Sequence, residues 1–203
     1  MPARPAILAT GAVLAALALS ACSSPGGSGG DGGGSGGGSS GGSGGGSGGA
    51  TAACLEGTWS ADVQDLANQL VSYFQEQGLN ATEGVGSGTQ FATFHDDTAT
   101  WDNDLTLSAT IDSDGIAITT IQSHQGTVLS TWELDGDEMT FTTWDDTDYK
   151  IATSFLINDT PTDMNISAPS GGVSDVPTSV TCEGDVLTVH PTASPFTTTF
   201  ARN

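Results

Sequence analysis

Basic residues are almost missing from this 203-residue chain: three Lys and Arg stand against 24 Asp and Glu, a formal net charge of −21. A surface this acidic repels nucleic-acid phosphates and anionic headgroups, which excludes nucleic acid as a partner. Solubility and colloidal repulsion account for the acidity. Histidines are few, and His95, His124 and His190 form no i, i+4 pair and have no neighbouring Cys, so the spacing predicts no zinc site. Asp112/Asp114 and Asp145/Asp146/Asp148 lack the spaced oxygen ligands and distal Glu of a calcium loop, so no metal is expected. A P-loop, a dinucleotide fingerprint and a haem motif are all absent, and no cofactor is expected. The apolar run from Ile7 to Leu19 is too short to span a bilayer as a resident helix.

That run has another use. With Arg4 before it and Leu19-Ser20-Ala21-Cys22 after it, residues 1–21 read as a secretory signal. An ordinary cleaved signal would end near Ala21. A lipobox, with Cys22 acylated as the new N-terminus, fits better because a flexible spacer follows at once. Residues 23 to 50 hold 17 Gly and 8 Ser, with only Pro25, Asp31 and Ala50 besides. Such a stretch buries too little to offset its chain entropy, and as a random coil it reaches about 30 Å. Residues 22–50 are therefore expected to be lipidated Cys and tether, with residues 51–203 as one domain. The expected address is the extracytoplasmic face of a cell membrane. In that oxidising setting the two remaining cysteines, Cys54 and Cys182, are expected to form one disulfide.

One segment carries a helical period. From Asp62 to Gln77, Val63, Leu66, Ala67, Leu70, Val71, Tyr73 and Phe74 share a side, and Ser60 or Asp62 can cap the start. It has no Lys or Arg, which disfavours a membrane surface and favours a lid or plug on the main body. Almost everything else alternates as strands do. Trp101, Leu105, Leu107, Ala109 and Ile111 fall on one face. Val128, Trp132 and Leu134 share a phase in which Ser130 is the exception, and Phe196 and Phe200 repeat the pattern. Asp114-Gly115, Asp135-Gly136 and Glu183-Gly184 supply turns, and a long loop is expected over 159–177. Eight to ten strands joined by short turns predict an all-β, mainly antiparallel fold. An up-and-down barrel removes the exposed edges, and a two-sheet sandwich is the alternative.

Gly57-Thr58-Trp59 resembles the G-x-W that opens lipocalins and their calycin relatives, and Thr147-Asp148-Tyr149 is similar to their T-D-Y. The entrance Cys54-x-x-Gly57-x-Trp59 is followed directly by a helix. The chain closes on a hairpin Cys182-Glu183-Gly184-Asp185-Val186-Leu187-Thr188 and a last Arg202. This whole arrangement resembles lipocalin-like lipoproteins of high-GC Gram-positive bacteria from Cys54 onward. The resemblance implies a barrel closed by Gly57, Trp59 and Arg202, in which Trp59 plugs the closed end and Arg202 lies across it. The helix after the first strand departs from ordinary lipocalins and bears on the open mouth.

For function, the likeness implies a small apolar ligand inside the barrel, with Trp101, Trp132 and Trp144 lining the site. No catalysis is expected: Gly86-Ser87-Gly88 lacks the strand–elbow–helix setting of a nucleophile and reads as a loop into the strand of Phe91 and Phe94. If the tryptophans instead interlock with the 62–77 helix, the barrel is a solid core. The protein is then a surface interaction module. Either way a monomer, held to the membrane by lipid, is expected.

Overall fold

The computed structural model describes residues 50–162 and 176–203, so Cys22, tether residues 23–49 and most of the expected 159–177 loop lie outside the described residues. Ala50, expected to end the tether, instead belongs to the domain: it is buried and its N–H donates to Asp137 Oδ1 at 2.9 Å. Among the described residues, ten strands form a single antiparallel sheet, not two. They are β1 (Gly57–Ala61), β2 (Asn80–His95), β3 (Thr98–Ser113), β4 (Ile116–Asp135) and β5 (Glu138–Asp145), then β6 (Lys150–Ile157) and β7 (Thr160–Pro161). After them come β8 (Thr178–Glu183), β9 (Val186–Pro191) and β10 (Thr198–Arg202). Two helices precede β2: α1 (Ala52–Leu55) before β1, and α2 (Val63–Glu76) after it.

Pairing runs β3-β2-β1-β10-β9-β8-β5-β4, and β4 pairs back onto β3, so eight strands close a ring. Each ring strand pairs with its ring neighbour in chain order. The β6–β7 excursion is inserted between β5 and β8. β4 is long enough for two partners on one side: residues 129–135 face β5, and residues 118–125 face β6. Asp114 (φ 54°) and Gly115 (φ 81°) make the tight turn between β3 and β4, as the left-handed conformation of Asp-Gly hairpins requires.

Strand length divides the molecule. β1, β8, β9 and β10 have five or six residues, whereas β2 and β3 have 16 and β4 has 20. The long strands therefore overrun the ring as an arm, and the buried apolar side chains form two clusters. One fills the ring with Trp59, Phe94, Trp132, Met139, Phe141 and Phe200 among others. The other joins Val63, Ala67, Leu70 and Phe74 of α2 to Leu105, Leu107 and Ala109 of the arm. α2 is thus a cover on the arm, packed apart from the ring cluster.

Small residues on β2 allow that packing. A Cβ at Gly84 would meet Ala67 O at 2.5 Å, and one at Gly86 would meet Val63 O at 2.1 Å. The Gly86-Ser87-Gly88 segment lies inside β2 and is not a loop: the bare Cα of Gly86 lets the helix rest on the strand, and that of Gly88 lies against Asp104 and Leu105 of β3. The helix also occupies the strand's free edge. Gln64 Nε2 donates to Gly84 O (2.9 Å), and Gly86 N–H donates to Gln64 Oε1 (3.0 Å). Gln69 pairs with Thr197 in the same way, at 2.6 and 2.8 Å. Side-chain amides so replace the missing strand and blunt an edge that would otherwise pair with another chain. Asp62, not Ser60, caps α2, its Oδ1 accepting from Asp65 N–H at 2.9 Å. Phe196 precedes β10 and packs on Tyr73 of the second cluster, so it does not continue the inward phase of Phe200.

The disulfide joins Cys54 of α1 to Cys182 of β8, across a sequence separation of 128 and a Cα–Cα distance of 6.2 Å. Closing so long a loop stabilises by about 5 kcal/mol in the chain-entropy treatment.

Candidate functional site

One end of the ring is sealed. Trp59 is fully buried, and its Nε1–H donates to Leu55 O of α1 at 2.7 Å. Arg202, its cross-strand partner, lies over the indole and donates from Nη1 to Glu56 O and from Nη2 to Cys54 O, both at 2.7 Å. Gly57 (φ 117°) sits against that guanidinium, since a Cβ there would lie 3.1 Å from Nη1. The structure therefore brings Gly57, Trp59, Arg202 and the disulfide to one end.

Away from that seal, the ring interior holds a half-enclosed cleft of about 190 Å³. Its apolar wall is Trp101, Val128, Phe141, Trp144, Val189 and Phe200, and Gln90, Asn103, Tyr149 and Thr198 add polar groups. The aromatic rings brace one another: Phe141 meets Trp101 and Trp144 edge-on, with centroids 5.7 and 5.5 Å apart. Ser130, the polar exception in the inward phase of β4, is buried because the Trp101 Nε1–H donates to its Oγ (3.1 Å). Trp132 does not line the cleft. It stacks edge-on against Phe94 (6.0 Å), donates to Thr98 O (3.2 Å) and belongs to the filled part of the ring. A bulge between Thr131 and Trp132 in the β4–β5 pairing lies at this point. None of the three tryptophans belongs to the cluster of α2.

Tyr149 reaches the cleft from the connection between β5 and β6. That connection lies directly on Gly126 (φ 106°), where a Cβ would meet Asp148 O at 1.9 Å, so a side chain there would push the turn away. Asp145 Oδ1 accepts from the backbone N–H (3.1 Å) and hydroxyl (2.6 Å) of Thr147, and these bonds hold the carboxyl below its ordinary range. The Tyr149 hydroxyl is hydrogen-bonded to His124 Nδ1, and His124 Nε2 lies 2.9 Å from Gln122 Oε1. Gln122 Oε1 can only accept, so Nε2 carries the proton and Nδ1 accepts from the tyrosine. Burial pushes His124 down to about 4. Burial first, then the nearby Asp146 charge, pushes Tyr149 up to about 12. The pair is a neutral, internally satisfied link.

Two inward amides were not anticipated from the sequence. Asn103 Nδ2 donates to Trp101 O (3.1 Å) and Gly126 O (3.4 Å), which leaves Oδ1 to accept from Gln90 Nε2 (2.8 Å). Gln90 Oε1 is then buried without a partner among the described residues. The signal was available: Asn103 has the same parity as Trp101 and Leu105, and Gln90 the same as Ala92 and Phe94.

Among the described residues, Glu56, His95 and Asp96 bring three ligand-type atoms within 4.8 Å of one another at the β2–β3 turn. Their contacts with one another account for the grouping, since Glu56 Oε1 accepts from Asp96 N–H at 2.7 Å and His95 lies 3.5 Å from Glu56 and 3.6 Å from Asp96. Comparison of the chain with protein-family models, with curated proteins and with solved structures finds no match.

Proposed function

We propose that the chain is a lipid-anchored extracytoplasmic protein whose lipocalin-like barrel holds a small apolar ligand, without catalysis. The observation that carries this is the aromatic cleft. Its 190 Å³ exceeds the roughly 150 Å³ of dry protein cavities that take up benzene. It falls below the roughly 300–1,000 Å³ of drug-sized sites. A ligand of one or two rings suits that volume. Two features support the lipocalin-like reading: the eight-strand ring with pairing in chain order, and Arg202 laid over Trp59 at the sealed end. The departure is α2, which covers the arm. The non-catalytic reading rests on the lining, where Tyr149 is the one titratable side chain and its proton is committed to His124.

Anchoring by Cys22 and a tether of Gly and Ser would let the monomeric domain sample about 30 Å of space. With Arg4 lost alongside the signal, Lys150 and Arg202 stand against 24 acidic residues, and that charge of −22 would hold it off anionic surfaces.

A second reading has its own observation. Most of the ring is filled by Trp59, Phe94, Trp132, Met139, Leu187 and Val180, which suits a surface interaction module with no small ligand. Titration with indole, followed by NMR, separates the two. Shifts confined to Trp101, Trp144, Tyr149 and their neighbours support the cleft. A spectrum unmoved by indole and by other one- and two-ring aromatics leaves the interaction module.

A further inference from the structure

We infer that the cleft sorts ligands by charge: it takes ring compounds with a neutral or cationic polar end and refuses carboxylates and other anions. This selectivity rests on the ligand-binding reading above and adds the ligand's chemical class. An anion leaving water needs a cation or several strong donors to meet it. The whole chain holds three basic residues, Arg4, Lys150 and Arg202. Arg4 falls in the expected leader. Arg202 is committed to the sealed end, over Trp59 and on the Cys54 and Glu56 carbonyls. Lys150 is exposed and in register with exposed Gln125, out of phase with buried His124 and its partner Ile151. Among the described residues, the cleft is therefore lined by no cation. His190 does not supply one: it is out of phase with Val189, and its Nδ1 meets Phe196 O (3.2 Å) and Thr197 Oγ1 (3.0 Å).

Three lining donors are already spent. The Trp101 Nε1–H goes to Ser130 Oγ, the Asn103 amide to Trp101 O and Gly126 O, and the Tyr149 hydroxyl to His124. Negative charge stands beside the cleft instead. Trp144 and Tyr149 both line it, and the turn between them carries Asp145, Asp146 and Asp148. Asp146 is half-buried, and its charge reaches the Tyr149 hydroxyl. Among the described residues no basic side chain pairs with any of the three. A carboxylate bound between Trp101, Phe141 and Trp144 would lose hydration, find no counter-ion and meet this repulsion. A neutral amide of the same shape sheds far less hydration energy. An ammonium is drawn by the carboxylates and by the aromatic rings.

The test compares three indoles of similar size by isothermal titration of the intact protein at about pH 8, where ordinary imidazoles are neutral. Indoleacetamide and indoleacetate share a shape and differ in charge, and tryptamine carries an ammonium. Wild type should bind the amide about tenfold or more tightly than the acetate, with tryptamine at least as tight as the amide. Most of that gap should persist in about 0.5 M sodium chloride, where charges more than about 4 Å apart are largely screened. Acetate bound as tightly as the amide would overturn the sorting while leaving the cleft as a binding site. So would tryptamine bound as weakly as the acetate, since any charge would then be refused whatever its sign. A gap that closes in salt would assign the refusal to the overall charge of the chain, and would overturn the role of the cleft. Failure of all three to bind would overturn the ligand-binding reading itself.

Discussion

The central guanidinium carbon of Arg202 lies 4.1 Å from the centroid of the Trp59 ring, and both outer nitrogens of that guanidinium end on carbonyls of the preceding segment. The last strand is thereby tied to α1 and to the sealed end of the ring. Charged hydrogen bonds contribute about 1.5–3 kcal/mol and a cation–π contact about 0.5–2 kcal/mol, with partial exposure reducing both. Arg202→Ala should lower unfolding stability by about 2–4 kcal/mol in urea titrations. Arg202→Lys, which cannot span both carbonyls at once, should recover less than half. The ion pair with Asp185 is long at 3.6 Å and its acid is exposed, so Asp185→Asn should change stability by under about 0.5 kcal/mol.

The contact of α2 with β2 depends on a missing atom. At Gly86 a Cβ would fall 2.1 Å from Val63 O, a backbone atom that cannot swing aside. Gly86→Ala should cost about 3 kcal/mol and raise amide exchange in α2, because the Gln64 bridge to the strand edge opens. Gly115→Ala is the control. Its site has open space and only the backbone conformation is at stake, so about 1–2 kcal/mol is expected with no change in α2 exchange. Equal effects at both positions would show that crowding is not what the glycine relieves.

Period alone made α2 and the strand phases legible. Val63 to Phe74 recur at helical spacing, and Trp101 to Ile111 alternate as a half-buried strand must. The Asp-Gly pair between β3 and β4 gave its turn. Alternation tells which face a residue takes, but not what stands opposite. The division of β4 between two partners, the arm beyond the ring and the seating of α2 on Gly84 and Gly86 were therefore illegible. For the site, Trp101 and Trp144 reach the cleft, whereas Trp132 does not. His124 and Tyr149 meet only because the turn after β5 lies down on Gly126. Gln90 and Asn103 were legible in principle as polar residues in an inward phase.

The anchor reading has a direct cellular readout. Cys22→Ala removes the thiol that would carry the acyl chains, which contribute about 0.8 kcal/mol for each buried methylene. The variant should appear in the culture medium, with wild type in the membrane fraction. Retention of the variant on membranes would exclude the lipobox.

His124 gives the protein a pH dependence whose sign can be worked out. Its pKa is about 4 when folded against an ordinary 6.5, so between these values the unfolded chain binds a proton that the folded chain refuses. Stability from this group is therefore fully present above pH 6.5 and is lost as the pH falls toward 4, by as much as about 3 kcal/mol. Protonation at Nδ1 would also reverse the hydrogen bond with Tyr149, with Nδ1–H donating to the Tyr149 oxygen and the hydroxyl proton displaced from its acceptor. The tyrosine has the opposite sense. Its pKa is raised to about 12, so its share is complete below pH 10 and is lost above that. Carboxylates also gain protons near the acid end, relieving repulsion in a chain of charge −21, so the comparison must be between proteins at matched pH. Urea midpoints at pH 7, 5.5 and 4.5 for wild type and His124→Gln provide it. Wild type should lose more stability than the variant over that range, and parallel curves would show that His124 does not carry the acid sensitivity.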